Sequence, residues 1–223
     1  MGYHKKLLVF DVDGTLAPHG VPISRDVAEA LCELERRGHV IAFASGKSAE
    51  YLEGLARGIG LVGRSLIAEN GSVIFFGGKI YLMVQRPLCF DRLKSEIVQL
   101  FPQARVQHNM VNLTVMAVGE TLEAVAAHLK SAGACDDMSC RFFLHSDAAE
   151  LLPEGMDKGR ALHSLTILTG FTKEDVVASG NADNDVSMRD EAAVFLAVGD
   201  EIEADRHFVD ESALLAYLLE VCT

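Results

Sequence analysis

The chain has 223 residues, 49% of them hydrophobic and 23% charged, which suffices for a substantial buried core and lacks the composition of a disordered segment. Its formal net charge of −12 repels phosphate backbones and anionic headgroups at long range, which argues against unassisted binding to nucleic acid or to an anionic membrane. A phosphorylated partner would need a local cationic site or a bound metal.

The first element is the run Leu7-Leu8-Val9-Phe10. Four apolar residues bounded by a polar loop predict a fully buried parallel strand, and ligands of open α/β sheets bind at the carboxyl ends of such strands. The loop here is Asp11-Val12-Asp13-Gly14-Thr15-Leu16. Two acids one residue apart repel each other, so something must offset their charge, and hard oxygen ligands suit Mg²⁺. A plain turn would ask for one acid rather than a pair. A calcium loop fails because Gly14 comes two places early, Thr15 takes the third ligand position and a strand, not a helix, precedes it.

Ser24 caps a helix with Val27, Leu31 and Leu34 at helical spacing, and Gly38 ends it. Val40 to Phe43 is a second buried strand ending in Ala44-Ser45-Gly46-Lys47, where the Ser45 hydroxyl and the Gly46 amide can hold a phosphate oxygen at a helix start, or simply cap it. A helix over 48–57, a strand at Ser65 to Ala68 and a turn at Glu69-Asn70-Gly71 follow. This alternation predicts a right-handed parallel α/β sheet. Gly77-Gly78-Lys79 then marks a hairpin between Val73–Phe76 and Ile80–Val84. Helices over 90–101 and 120–132, with strands at Leu113–Ala117 and Arg141–Leu144, predict a small α+β unit. From Met156 the α/β alternation returns, with a helix near Gly159–Thr169, strands near Val176–Ser179 and Val194–Val198, and a last helix over 212–221. The expected organisation is a discontinuous core, 1–76 and 153–223, with an inserted α+β domain at 77–152.

The five cysteines, Cys32, Cys89, Cys135, Cys140 and Cys222, are odd in number and include no C-x-x-C pair, which fits reduced thiols better than a disulfide framework or a zinc site. The first ten residues are too short for a signal peptide's apolar region, Lys6 stands where a myristoylation motif needs Ser or Thr, and no stretch approaches the length of a membrane span. A cytoplasmic protein, monomer or homodimer, is expected.

Two later loops carry polar chemistry: Lys158 before a helix, and Gly180-Asn181-Ala182-Asp183-Asn184-Asp185 after a buried strand. Together the D-x-D-G-T loop, Ser45, Lys158-Gly159 and G-x-x-x-N-D-x-x-M resemble the haloacid dehalogenase superfamily over nearly the whole chain. Glu69-Asn70-Gly71-Ser72-Val73-Ile74 and Leu152-Pro153-x-Gly155-x-x-Lys158-Gly159-x-Ala161-Leu162 are similar to its subclass IIB, the Cof-like sugar phosphatases, and the short insert is similar to that of archaeal-type phosphoglycolate phosphatases. The resemblance implies a Rossmann-like parallel-sheet core with an α+β cap, and a Mg²⁺-dependent phosphatase of a small organic phosphate. Asp11 would be the nucleophile and Asp13 the general acid and base. Ser45, Gly46 and Lys158 would bind the phosphoryl group. Asp11, Asp13 through its carbonyl, Asn181 and Asp185 would form the metal site, with Thr15 and Asn184 in support.

One position departs from the family pattern: Asn181 stands where a metal-ligating Asp is expected. Asn keeps a carbonyl oxygen but brings no charge, so Asp185 or Asp183 is left as a compensating ligand. Arg86, His108, Asn109, Asn112 and His145 are the polar specificity candidates of the insert. Two other functions stay open at this point. One is a phosphomutase, which would use the same aspartyl-phosphate. The other is a low-activity phosphometabolite-binding protein, suggested by Asn181.

Overall fold

The computed structural model describes residues 5–132, 134–135 and 138–222, and the chain divides into two compact units, Met1–Tyr81 with Asp157–Thr223, and Leu82–Met156.

The first unit begins with β1 (Leu7–Phe10), buried along its length. Helix α1 (Arg25–Arg36) starts where the Ser24 hydroxyl accepts the Val27 N–H, and it buries Val27, Leu31 and Leu34. Such a cap contributes ~1 kcal/mol. Strand β2 (Val40–Ala44) leads to α2 (Ala49–Gly58), capped in the same way by Ser48, and then to β3 (Ser65–Ala68), a tight turn over Glu69–Gly71, β4 (Val73–Phe76) and β5 (Lys79–Leu82).

The second unit comprises α3 (Cys89–Leu100), β6 (Arg105–Val106), β7 (Leu113–Met116), α4 (Gly119–Ala132), β8 (Ala134–Cys135), β9 (Met138–Leu144) and β10 (Ala148–Pro153). Its strands form one sheet in the order β6-β7-β10-β9-β8, antiparallel throughout. Phe90, Leu93 and Ile97 of α3 and Val125 and Leu129 of α4 pack with Leu113, Val115, Ala149 and Leu151 of the sheet into one apolar core.

The chain returns to the first unit with α5 (Lys158–Thr169), β11 (Val176–Gly180), β12 (Val194–Val198), β13 (Arg206–Phe208) and α6 (Glu211–Val221). The eight-stranded sheet runs β13-β12-β11-β1-β2-β3-β4-β5. It is parallel from β13 to β3, and β4 is antiparallel to β3. This is the expected α/β core carrying an α+β insertion.

The register positions the chemistry. Phe10 pairs with Ser179 on one side and with Phe43 on the other. Asp11 therefore leaves the sheet level with Gly180 and Ala44, and the loops after β1, β2 and β11 share one edge.

Four strands have no clear trace in the sequence: β6, β8, β10 and β13. β10 is the central strand of the second sheet, yet it reads Ala-Ala-Glu-Leu-Leu-Pro. Its carboxylate and proline hide the periodicity, because both faces are buried. The units also meet at 81/82 and 156/157 rather than at 76/77 and 152/153. The second hairpin strand, β5, stays next to β4 in the large sheet, and β10 continues its pairing with β9 through Pro153 and Cys140. The thiols need one correction: Cys32, Cys140 and Cys222 are free, whereas Cys89 is disulfide-bonded. Cys135 lies outside the residues whose side chains are described. Among the described residues no helix is long and apolar enough to cross a membrane.

Candidate active site

At the shared sheet edge the loops are tied to one another pairwise. Lys158, at the first turn of α5 and only 1% exposed, donates to Asp11 Oδ1 at 2.7 Å and to Asp185 Oδ1 at 2.6 Å. Asp185 is wholly buried, and its other oxygen accepts the backbone N–H groups of Asn181 and Ala182 at 3.0 and 3.1 Å. Both Asp185 oxygens are therefore engaged by protein donors. Its carboxylate closes the loop after β11 and holds the lysine. Asp183 is exposed.

Lys158 reaches this depth because its neighbour is a glycine. A Cβ on Gly159 would overlap the Ser187 carbonyl oxygen, and the Gly159 N–H donates to Ser187 Oγ at 3.0 Å. The close approach seats the first turn of α5 against the turn that follows Asp183.

The two acids of the first loop occupy different surroundings. Asp11 is buried and its N–H donates to the Ser179 carbonyl at 3.0 Å, while Thr15 Oγ1 donates to Asp11 Oδ2 at 3.1 Å. The Asp13 side chain is 30% exposed and faces Lys47 Nζ at 3.5 Å. Two carboxylates held in contrasting environments are the usual basis for a division of acid–base labour.

Burial is the largest influence on the Asp11 carboxyl and pushes it up to about 6, with the Lys158 ammonium opposing that rise and the Asp185 charge adding to it. Burial alone would lower Lys158, but Asp11 and Asp185 outweigh it and hold the ammonium above its ordinary value. Because the folded Asp11 binds its proton more tightly than an unfolded aspartate, its contribution to stability is full below the ordinary aspartate range and is lost as pH rises through about 6. A ¹³C-carboxyl titration of the cation-free protein is expected to place the Asp11 transition near pH 6. A transition at or below the ordinary value of 3.8 would contradict this account of the site.

Ser45 is buried, and its hydroxyl accepts the Lys47 N–H at 3.3 Å. Its carbonyl accepts the Asn70 N–H at 3.1 Å, and the Lys47 carbonyl accepts the Glu69 N–H at 3.0 Å. Asn70 also accepts from Asn184 Nδ2 at 3.3 Å, and its amide lies over Gly46. The loops after β1, β2 and β11 and the start of α5 thus close into a ring: Asp11 to Lys158, Lys158 to Asp185, Asn184 to Asn70, Asn70 to Ser45, and Lys47 to Asp13. All the expected site residues fall in it, including Gly46, Thr15 and Asn184.

Lys47 and Asn70 have no role that the sequence alone assigns. Both Glu69 and Asn70 have positive φ, 52° and 53°, without being glycine. Two successive left-handed residues are a form of strain that persists where the surroundings enforce it. The Asn-Gly pair is the available signal, and by itself it indicates only a turn.

In the second unit, Glu150 of β10 is a further residue that sequence reasoning does not single out. It is 2% exposed, accepts from Thr114 Oγ1 at 2.9 Å and Asn112 Nδ2 at 3.3 Å, and stands 3.8 Å from His145 Nε2. Two specificity candidates from the sequence, Asn112 and His145, meet at this carboxylate. Asn109 instead bonds Thr114 and Gln107. Arg86 is taken up by the Val111 and Asn112 carbonyls and by Asp91.

The site also has a place that fits a divalent cation. The inward atom of the Asn181 side-chain amide stands 3.2 Å from the Asp13 carbonyl oxygen, 3.3 Å from Asp11 Oδ2 and 3.2 Å from Thr15 Oγ1. With the amide oxygen inward, it stands from the Asp11 and Asp13 oxygens at close to the spacing of adjacent ligands around an octahedral ion with bonds of ~2.1 Å. Among the described residues no group of three or more His, Cys, Asp or Glu side chains gathers as for a metal centre. A cation here would be held by one carboxylate and neutral oxygens, the mode that Mg²⁺ accepts.

This fold and this ring of loops define a hydrolase class. A family model of haloacid dehalogenase-like hydrolases matches residues 8–134 and 102–207, and the chain belongs to that family. Its curated relatives include phosphoglycolate phosphatase 2 of Saccharolobus solfataricus, 25% identical over 214 residues covering 94% of this chain and 86% of that protein. Another is the 5-amino-6-(5-phospho-D-ribitylamino)uracil phosphatase YcsE of Bacillus subtilis, 28% identical over 216 residues covering 87% and 84%. Among solved structures, a haloacid dehalogenase-like hydrolase from Bacteroides thetaiotaomicron superposes with a TM-score of 0.80 at 20% identity, covering 97% of this chain and 99% of that one. A subclass IIB sugar phosphatase of the superfamily gives a TM-score of 0.66 at 18% identity over 97% and 98%. These structures share the fold.

Proposed function

We propose that the chain is a Mg²⁺-dependent phosphomonoesterase that hydrolyses a small organic phosphate, a sugar phosphate or phosphoglycolate, through an aspartyl-phosphate on Asp11. The observation that carries this reading is the contact of buried Lys158 with Asp11 at 2.7 Å, which sets a fixed cation beside a buried carboxylate at the sheet edge. A binding module gains nothing from burying a second carboxylate where an anion must dock, whereas a nucleophile needs to be there.

In this reading an Asp11 oxygen attacks phosphorus and the bond from phosphorus to the ester oxygen breaks. Asp13, more exposed and paired with Lys47, delivers a proton to the departing alkoxide. It then takes a proton from the water that attacks the aspartyl-phosphate, releasing phosphate and restoring Asp11. Lys158 neutralises the approaching dianion, and Ser45 with the Gly46 amide binds its peripheral oxygens. Asp11, the Asp13 carbonyl and Asn181 would hold Mg²⁺, which supplies charge neutralisation on the phosphoryl oxygens when bound. Asp185 serves as the positioning partner of Lys158. The demand for so many groups reflects the reaction: phosphate-monoester hydrolysis calls for accelerations of up to ~10²¹, against about 10²–10⁴ from one acid–base group.

The decisive experiment is turnover of a panel of phosphorylated metabolites by the purified protein with Mg²⁺, phosphoglycolate and hexose and pentose phosphates included. Hydrolysis is expected, and transfer to a second sugar hydroxyl without phosphate release would establish the mutase instead.

A further inference from the structure

Asn181 carries more than a weakened copy of a carboxylate ligand. Its amide has two faces of the same shape, and the surrounding atoms treat them differently. Around the inward position stand Asp11 Oδ2, the Asp13 carbonyl and Thr15 Oγ1, at 3.3, 3.2 and 3.2 Å. Thr15 has one proton to give, and Asp11 Oδ2 is within its reach at 3.1 Å. With the amide oxygen inward and no cation present, that oxygen therefore confronts the Asp13 carbonyl and the Asp11 carboxylate, which accept and cannot donate.

Turning the amide over removes the conflict. The NH₂ group then has two hydrogens to distribute among the same three acceptors at the same distances. The space allows both faces and little else, because the amide lies directly on Gly14, whose φ of +93° and missing side chain leave room for it. A carboxylate at this position could not do the same, since it has no donor to offer.

We infer that Asn181 is a cation-coupled rotor: its NH₂ stands in for the metal in the cation-free protein, and its oxygen turns inward when a divalent cation binds. The inference rests on the reading of this loop cluster as a Mg²⁺ site and adds how this chain regulates it. The stand-in keeps the loops after β1 and β11 assembled without metal. It also makes metal compete with hydrogen bonds that must first be broken, so half-saturation moves to higher Mg²⁺.

The experiment is a Mg²⁺ titration of the ¹⁵N-labelled full chain, following the Asn181 side-chain amide, assigned by its disappearance in Asn181→Asp, together with the backbone amides of residues 11–15. In the cation-free protein the Asn181 NH₂ protons are expected to be protected from exchange, and on Mg²⁺ saturation to lose that protection. The Asn181→Asp protein, which lacks the donor and adds a charge, is expected to bind Mg²⁺ about tenfold more tightly. Its melting temperature should be below that of the wild type without the ion and gain more on its addition. Backbone shifts at residues 11–15 with an unresponsive Asn181 amide would overturn the rotor while leaving the cation site in place. Absence of any shift at these residues in both proteins would overturn the cation site and the rotor with it.

Discussion

Replacing Asp11 by asparagine is expected to reduce turnover by at least ~10⁴-fold, the scale of removing a nucleophile that acts in concert with its neighbours, while the protein remains folded. Both halves follow from the same surroundings. The substituted side chain keeps the shape of the aspartate, its amide oxygen can still accept from Lys158, and Thr15 and Asn181 stay beside it. An amide cannot attack phosphorus to give a stable acyl phosphate. Burial also raises the Asp11 carboxyl to about 6, so the fold holds this charge at a cost at neutral pH, and its removal is not expected to lower stability. Steady-state kinetics with an aryl phosphate, beside thermal denaturation, checks both. Equal activity in the two proteins would show that the turnover belongs to something else, and absence of turnover in the wild type would favour the binding protein.

Lys158→Met is the second large effect, and it acts on stability as well as on rate. Methionine fills much of the same volume without the charge, leaving Asp11 and Asp185 buried with no cation between them. Leaving a buried charge without its partner costs about 3–5 kcal/mol. Chemical denaturation at neutral pH should register that loss. Mild acid should recover part of it, because protonating one of the two carboxylates removes their repulsion. Adding Asp185→Asn should recover part of it at neutral pH, yet restore no activity. A Lys158→Met protein as stable as the wild type would mean that the triad is not the structural centre of these loops.

Much of this site is legible in the sequence because its signals are local and repeated at strand ends. The apolar run Leu7–Phe10 stops at Asp11, Val40–Ala44 stops at Ser45, and Val176–Gly180 stops at Asn181. A parallel sheet then brings these ends to one edge whatever the intervening length. The departure at position 181 is equally visible. Its consequence is not, because which side an amide presents depends on the Asp13 carbonyl and Thr15 hydroxyl packed against it. The job of Asp185 is hidden for the same reason. A carboxylate near a metal loop reads as a ligand until both its oxygens are found on Lys158 and on the backbone N–H groups of Asn181 and Ala182.

The second unit is harder to read. Its hydrophobic core shows in outline in the spacing of Phe90, Leu93 and Ile97 in α3 and of Val125 and Leu129 in α4. The central strand β10 does not, since Glu150 breaks the apolar run and finds its hydrogen bonds in Thr114 and Asn112, 36 and 38 residues away. Polar groups satisfied across a sheet leave no local pattern. The short strands β6 and β13 owe their existence to a neighbouring strand rather than to their own sequence.

The most direct test of the central claim is acid quenching during turnover, followed by mass spectrometry of the peptide that carries Asp11. A phosphoryl group on that aspartate, formed in a burst and absent from the Asp11→Asn protein, is the expected result. Full-rate hydrolysis with no label on Asp11, or with the label on another residue, would contradict it.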